Sequence, residues 1–101
     1  MANYRNKKLL EIVRKSPCQN CGAQDGTVVA AHSNQSRDGK GMGIKASDAA
    51  IAALCYNCHS MLDQGIDLSR KERVDLWELA HRKTIRWLIE NEYLVLNDSK
   101  L

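Results

Sequence analysis

Two pairs of cysteines carry the clearest chemical signal in this chain. The first pair is Cys18 and Cys21, the second is Cys55 and Cys58, and two residues separate the members of each pair. This spacing places two thiolates on one tight turn, and two such turns supply the four ligands of a tetrahedral zinc site. A thioredoxin-type redox motif needs a βαβ context that this sequence lacks, and disulfides rarely persist in a reducing cytosol. We therefore predict a structural Zn²⁺ bound by all four cysteines.

A second group of reactive residues lies next to the second cysteine pair. His59 directly follows Cys58, and Asp63 comes four residues later. On a helix, positions four residues apart share one face, so these two side chains could hold one divalent cation together. His32 ends a run typical of a β-strand and could face the same region. The simpler alternatives are a spare zinc ligand for His59 and a solvated carboxylate for Asp63.

The turn residues around the cysteines predict the elements that must position them. Pro17 and Gly22 flank the first pair as in a zinc knuckle, whereas the second pair runs into residues that can continue as a helix. A knuckle first and a helix-borne pair last is the arrangement called a treble clef, which predicts a β-hairpin between the pairs. The expected fold is therefore α+β, a small zinc-stabilised treble-clef domain spanning 1–101, with its core at about 16–68.

The first half of the chain has one helical pattern and one clear strand pattern. Apolar residues spaced by three and four predict an amphipathic helix over 4–15, which ends before a proline. The β-branched run 27–32 is the best strand candidate. Residues 33–47 contain three glycines and few apolar residues, which indicates a long loop. The apolar run 48–54 is compatible with either a strand or a short helix.

The second half is dominated by one long helix. Ser69 and Glu72 form a capping box that opens a helix at about 70–91, which we expect to pack on the core. Residues 93–96 are predicted to form a short terminal strand. The buried stripe of the helix is predicted to comprise Val74, Trp77, Ala80, Ile85 and Leu88.

Basic side chains are concentrated at the N-terminus and in the loop, although the net charge is only +3. Residues 1–16 carry Glu11 as their only acidic side chain, and the loop has only Asp38. Lysine and arginine contacts to phosphates bind a polyanion without sequence preference. The mixed charges of the long helix are interpreted instead as a solvated surface. We therefore predict nucleic-acid contacts from Lys7, Lys8, Arg14, Arg37, Lys40 and Lys45.

Together these residues resemble the HNH (ββα-metal) endonucleases that carry a four-cysteine zinc site. The resemblance rests on Cys-x2-Cys, a strand ending in His, and Cys-x2-Cys-His with a possible ligand four residues on. Three segments are similar to the YbcO-like nuclease family of phages and prophages. They are Val29-Ala-Ala-His32, Gly43-Ile-Lys-Ala-Ser-Asp48 and Ala53-Leu-Cys-Tyr-Asn-Cys-His-Ser-Met-Leu-Asp63.

The resemblance implies a metal-dependent DNA endonuclease that hydrolyses phosphodiester bonds. His32 matches the general base of the family, and His59 matches a ligand of the catalytic ion. Asp63 stands where many relatives have a second His, and Asp48, near the place of the family's middle Asn, is a further candidate ligand. Ala31 stands where many relatives have Asp or His. The implied cofactors are a structural Zn²⁺ and a catalytic Mg²⁺ or Mn²⁺.

The expected partners are DNA and a recombination protein, without a membrane. The longest apolar run, 49–55, is far shorter than the roughly 20 residues of a membrane span. No apolar segment of a secretory signal follows the basic N-terminus, so we expect a cytoplasmic location. The alternative function is a non-catalytic zinc-finger module that binds DNA or a recombination partner, with which Ala31 is compatible.

Overall fold

The computed structural model describes residues 3–65 and 67–97. Within these ranges it contains three α-helices and two β-strands. The remaining positions of the predicted single domain, 1–2, 66 and 98–101, lie outside this description. The elements confirm the α+β class, and no helix within the described ranges is both long and apolar enough to cross a membrane. In chain order they are α1 (Lys7–Val13), β1 (Val29–His32), β2 (Ile51–Leu54), α2 (Tyr56–Gln64) and α3 (Arg70–Glu90).

The two strands form the predicted hairpin between the cysteine pairs. β1 and β2 are antiparallel, with Ala31 opposite Ala52 and His32 opposite Ile51. All four residues of β2 are buried, because α3 packs against this strand. A strand buried throughout has no alternating pattern, which explains why the sequence left 48–54 open between strand and helix. The structure settles that segment as a strand from Ile51 onward.

The long helix α3 begins at the predicted capping box. The Ser69 hydroxyl accepts a hydrogen bond from the Glu72 N–H at 3.1 Å, and the Glu72 carboxylate accepts one from the Ser69 N–H at 2.9 Å. Both exchanges satisfy N–H groups that have no partner within a helix. The predicted start of this helix is therefore confirmed.

The buried stripe of α3 differs from the predicted one at three positions. Its buried residues are Trp77, Ala80, Thr84 and Leu88, whereas Val74 and Ile85 are only partly buried. Thr84 can be buried because its hydroxyl donates to the Ala80 carbonyl at 2.7 Å and accepts from the Ala53 N–H at 2.9 Å. A polar residue thus joins the helix to β2, and the apolar pattern alone could not identify it.

The predicted terminal strand at 93–96 is wrong. The N–H groups of Tyr93 and Leu94 both donate to the carbonyl of Leu88, at 2.9 and 3.3 Å. Glu92 has a left-handed φ of 61°, which turns the chain back toward the end of α3, and the Tyr93 ring stacks on Trp87. Because these backbone donors bond to the helix, they do not pair with a neighbouring strand.

Residues 3–6 fasten the glycine-containing loop to the rest of the fold, and we call them the N-terminal clasp. The Asn3 side chain donates to the carbonyls of Gly39 and Lys45, each at 2.9 Å. Gly39 has a φ of 94°, and a Cβ there would overlap the Asn3 side chain, so only glycine fits. Asn6 caps α1 through the Leu9 N–H, which makes this helix start three residues later than predicted.

Candidate metal centre and active site

The four cysteine sulfurs form one cluster in which every pair lies within 4.8 Å. The sulfurs of Cys21 and Cys55 are 3.7 Å apart. A tetrahedral zinc site with bonds of about 2.3 Å has sulfur–sulfur edges of about 3.8 Å. Cys18, Cys55 and Cys58 are buried and Cys21 is exposed. The size of the cluster and its four-sulfur donor set therefore fit Zn²⁺.

Two different local structures bring these sulfurs together. On the first side, the Gly22 N–H donates to the Cys18 carbonyl at 2.9 Å, and the φ of Gly22 is 83°, which closes a tight turn around Cys21. On the second side, Cys55 follows β2 as the N-cap of α2, and Cys58 lies in the first turn of that helix. The knuckle and the helix start are those that the cysteine spacing predicted.

The electrostatics of the cluster favour a bound cation. Burial disfavours the Cys18 thiolate, but backbone N–H groups of Cys21, Cys55 and Asn20 outweigh it and lower the pKa of Cys18 to about 6. Burial, together with the neighbouring thiols, raises the pKa of Cys58 to about 12 despite a hydrogen bond from Asn20. Four thiolates at this distance need a positive charge among them, which a divalent cation supplies.

Five of the predicted functional residues line a single cleft of about 210 Å³, which we call the histidine cleft. His32 reaches it from the end of β1, Lys40 and Lys45 from the loop, and His59 and Asp63 from α2. The cleft therefore combines an imidazole, a histidine–carboxylate pair and two cationic side chains. Such a set is suited to binding a negatively charged group and moving a proton beside it.

His59 and Asp63 face each other on the outer side of α2. The His59 Nε2 and Asp63 Oδ2 atoms are 3.4 Å apart, and both side chains are partly exposed. Neighbouring positions Cys58 and Leu62 are buried, so the same helix turns its other face to the zinc cluster and the core. Adjacent ligands of an octahedral ion with bonds near 2.1 Å are about 3 Å apart. The pair therefore fits as two ligands of one divalent cation.

The imidazole of His32 is hydrogen-bonded to the carboxylate of Asp48. The His32 Nε2 and Asp48 Oδ1 atoms are 2.7 Å apart, and the second carboxylate oxygen accepts from the Asn6 N–H, also at 2.7 Å. Arg5 adds a third donor at 3.2 Å, and the Asp48 side chain is only 5% exposed. Asp48 therefore lies beside the imidazole, and it is not among the residues that line the histidine cleft. Its role as a metal ligand remains a prediction.

The charge state of Asp48 determines which nitrogen of His32 carries the proton. Burial acts to raise the pKa of Asp48, but hydrogen bonds from His32 and the Asn6 N–H, with the Arg5 charge, hold it below its ordinary value. An ionised carboxylate only accepts hydrogen bonds, so His32 must donate through Nε2–H. In the neutral imidazole the acceptor nitrogen is then Nδ1, which has no hydrogen-bond partner among the described residues.

The other predicted nucleic-acid contacts lie outside this cleft. Lys7, Lys8 and Arg14 are exposed on α1 and at its C-terminal end. Arg37 forms an ion pair with Glu78 and lies near Asp38, so its charge is partly offset within the fold. Their contact with nucleic acid remains a prediction.

Two residues have surroundings that the sequence did not indicate. Ala31 is buried, and its carbonyl accepts a hydrogen bond from the Trp77 indole at 2.9 Å, so β1 is bonded to α3 at this position. The interpretation of the α3 charges as a solvated surface does not hold for Arg73, because its Nε atom is buried. Arg73 precedes the buried Trp77 by four residues, and this helical spacing is a sequence feature that indicates burial.

No protein-family profile, curated protein or solved structure matches this chain. Its function must be argued from its own residues.

Proposed function

We propose that this protein is a metal-dependent DNA endonuclease of the HNH (ββα-metal) type, built on a zinc-stabilised treble clef. The observation that carries this proposal is the convergence of His32, Lys40, Lys45, His59 and Asp63 on one cleft. The order of the zinc knuckle, the antiparallel hairpin and the helix that follows it supports the same assignment. DNA is the proposed substrate, since a phosphodiester brings the negative charge that the two lysines would attract.

In this proposal His32 is the general base. A water molecule in the histidine cleft would donate its proton to Nδ1 while its oxygen attacks phosphorus, and the bond to the leaving sugar oxygen would break. Asp48 keeps Nε2 protonated and stabilises the imidazolium that forms, because its carboxylate lies 2.7 Å from that nitrogen. General-base catalysis of this kind is typically worth about 10²- to 10⁴-fold in rate.

His59 and Asp63 would hold the catalytic ion, and a bound Mg²⁺ or Mn²⁺ supplies charge neutralisation for the phosphate and its leaving oxygen. The imidazole ligand makes Mn²⁺, Co²⁺ and Ni²⁺ at least as suitable as Mg²⁺. Lys40 and Lys45 would bind the non-reacting phosphate oxygens at the loop side of the cleft. The Lys40 ammonium already donates to the neighbouring Gly41 carbonyl, which restrains its position.

A nicking assay tests this function. Supercoiled plasmid is incubated with zinc-loaded protein and each of Mg²⁺, Mn²⁺, Co²⁺ and Ni²⁺, and the His32→Ala variant is compared with the parent. We expect at least a 10²-fold loss of cleavage with unchanged zinc content and DNA affinity. His81 provides a matched control, because its Nδ1 faces the Ile51 carbonyl and it does not line the histidine cleft. His81→Gln is therefore expected to cleave like the parent.

The same assay separates this proposal from the alternative. If the parent binds DNA but cleaves it with none of the four ions, the protein is a zinc-containing binding module, and DNA or a recombination protein is its partner. If His32→Ala cleaves at the parental rate, the mechanism proposed here is wrong even if the protein is a nuclease. Single-stranded, duplex and branched DNA are compared in parallel to identify the preferred substrate.

A further inference from the structure

A second cavity opens beside the histidine cleft, and we call it the arginine pocket. Its volume is about 360 Å³, within the range of about 300–1,000 Å³ typical of small-molecule sites. Asn34 and Leu62 line both cavities, so the two are adjacent. Arg70 and Arg73, on the first turn of α3, supply the charge of the pocket.

Both arginines lack a carboxylate partner. Among the described residues, neither Arg70 nor Arg73 has a carboxylate oxygen within 4.0 Å, whereas Lys71 on the same turn is paired with Asp75 at 2.7 Å. Within residues 3–65 and 67–97, the guanidinium of Arg73 contacts one acceptor, the Leu62 carbonyl, at 3.5 Å. Its Nε atom is buried and has no hydrogen-bond partner in the same ranges. The charge of this guanidinium is therefore not balanced by a carboxylate of the described residues, and an anion bound in the pocket would balance it.

The fold holds the Arg73 side chain in place. Its guanidinium lies against Gly65, the left-handed residue that ends α2, where a Cβ would come within 2.9 Å of the Arg73 Cζ and Nη1 atoms. Glycine at this position therefore leaves the space that the guanidinium occupies. A planar guanidinium fixed in this way can bind a phosphate through two parallel hydrogen bonds.

The remaining walls of the pocket suit the rest of a nucleotide. Asn34 and Gln35 are its other polar residues, with the Gln35 side-chain N–H donating to Glu78 at 2.8 Å, and Leu62, Val74 and Trp77 form an apolar wall. Amides can bond to the polar edges of a sugar or base, and the apolar wall can cover a base. We propose that the arginine pocket is a subsite for the nucleotide next to the scissile phosphate, with Arg73 and Arg70 binding its phosphate. This inference rests on the proposed nuclease function.

The test uses a probe for the pocket that does not depend on catalysis. Zinc-loaded protein carrying Trp87→Phe retains Trp77 as its only tryptophan, and Trp77 lines the pocket. Thymidine 3′,5′-bisphosphate is titrated without added divalent ions, and binding is measured from the change in Trp77 fluorescence. Arg73→Met is expected to weaken binding at least tenfold, since it removes the charged hydrogen bonds to phosphate. Arg82→Met removes an exposed arginine of the same helix outside the pocket and is expected to stay within twofold of the parent.

Thermal melting distinguishes a binding role of Arg73 from a structural one. Because Arg73→Met removes a buried donor that has no partner, we expect the melting temperature of this variant to stay equal or rise. Arg73→Lys keeps the charge without the planar fork and should recover only part of the affinity. A lower melting temperature together with unchanged bisphosphate binding would overturn the proposal.

Cleavage measurements separate the subsite from the proposed function. If the parent cleaves DNA and Arg73→Met has the parental KM and bisphosphate affinity, the subsite is refuted while the endonuclease stands. If bisphosphate binding depends on Arg73 but no ion supports cleavage, the subsite stands and the endonuclease proposal falls. A bisphosphate titration that produces no change in Trp77 fluorescence, or binding that Arg82→Met weakens as much as Arg73→Met does, also overturns the subsite.

Discussion

Replacing Asp48 by Asn tests the arrangement that fixes His32. The carboxylate accepts three hydrogen bonds, from His32 and Arg5 on Oδ1 and from the Asn6 N–H on Oδ2. An amide group has one acceptor oxygen and one NH₂ donor, so it cannot serve both sides. If the NH₂ group faces Asn6, two donors oppose each other. If it faces His32, the imidazole must accept at Nε2 and carry its proton on Nδ1, which abolishes the base.

The expected cost follows from these contacts. Asp48→Asn loses at least one hydrogen bond to a buried charged group, and such a bond is worth about 1.5–3 kcal/mol. For a chain of this size, that loss lowers the melting temperature by on the order of 10 °C. Cleavage should fall by about 10²-fold or more, because either orientation of the amide removes the proton-accepting nitrogen or the charge that stabilises the imidazolium.

The pH dependence of stability gives a second reading of the same variant. Since the folded protein holds the pKa of Asp48 below its ordinary value of about 3.9, this carboxylate stabilises the fold above that pH and the contribution is lost as the pH falls further. The difference in unfolding free energy between parent and Asp48→Asn should therefore shrink as the pH falls below about 4.

The assays are plasmid nicking, thermal melting at saturating zinc, and nitrogen-15 NMR of the histidine rings, which identifies the protonated nitrogen. Asp75→Asn is the matched control, because Asp75 pairs with Lys71 on the exposed surface, where such ion pairs contribute little to stability. The reasoning is refuted if Asp48→Asn melts and cleaves like the parent. It is also refuted if His32 in the parent carries its proton on Nδ1.

Three further predictions concern the metals and the lysines. Cys55→Ser should lose tightly bound zinc, measured by elemental analysis, and should melt far below the parent. Structural zinc contributes on the order of 10 kcal/mol of binding free energy in small domains. An unchanged melting curve would contradict this prediction. Changing Lys40 and Lys45 to Gln should reduce the slope of log affinity for DNA against log salt concentration by up to about 2. The exposed Lys83→Gln is the control. A slope equal to that of the parent would show that the two lysines do not contact phosphates. His59→Ala should lose cleavage activity, and higher divalent-ion concentrations should partly restore it. No ion concentration should restore cleavage by His32→Ala. If the two variants respond equally to added ions, His59 is not a ligand of the catalytic ion.

Patterns confined to a few neighbouring residues were sufficient to predict much of this molecule. The capping box at Ser69 depends on residues three apart, and the helical spacing of His59 and Asp63 on residues four apart. The cysteine cluster combines two such local patterns, the two cysteine pairs, and the tetrahedral geometry of one metal ion fixes how the pairs are arranged. Such features can be found in the sequence because their distances are fixed by one helical turn or one tight turn.

Contacts that depend on the path of the chain could not be predicted in this way. The hydrogen bond between His32 and Asp48 spans an irregular loop of glycine, lysine and serine, and no periodicity relates its two ends. Thr84 is buried because its hydroxyl bonds to backbone groups on α3 and β2, which an apolar pattern does not register. Residues 93–96 have strand-like composition, but a strand also needs a neighbour to pair with, and composition carries no information about that neighbour.

The N-terminal clasp makes the reactivity of the cleft depend on a segment far from it in sequence. Asp48 and the clasp are joined by hydrogen bonds in both directions, from the Asp48 N–H to the Tyr4 carbonyl at 2.9 Å and from the Asn6 N–H to the Asp48 side-chain carboxylate. When residues 3–6 detach, Asp48 loses part of its support and the loop that carries Lys45 is released at the same time. We therefore expect the clasp, the loop and His32 to open as one cooperative unit in hydrogen exchange, with the same opening free energy for the amides of Asn6 and Asp48.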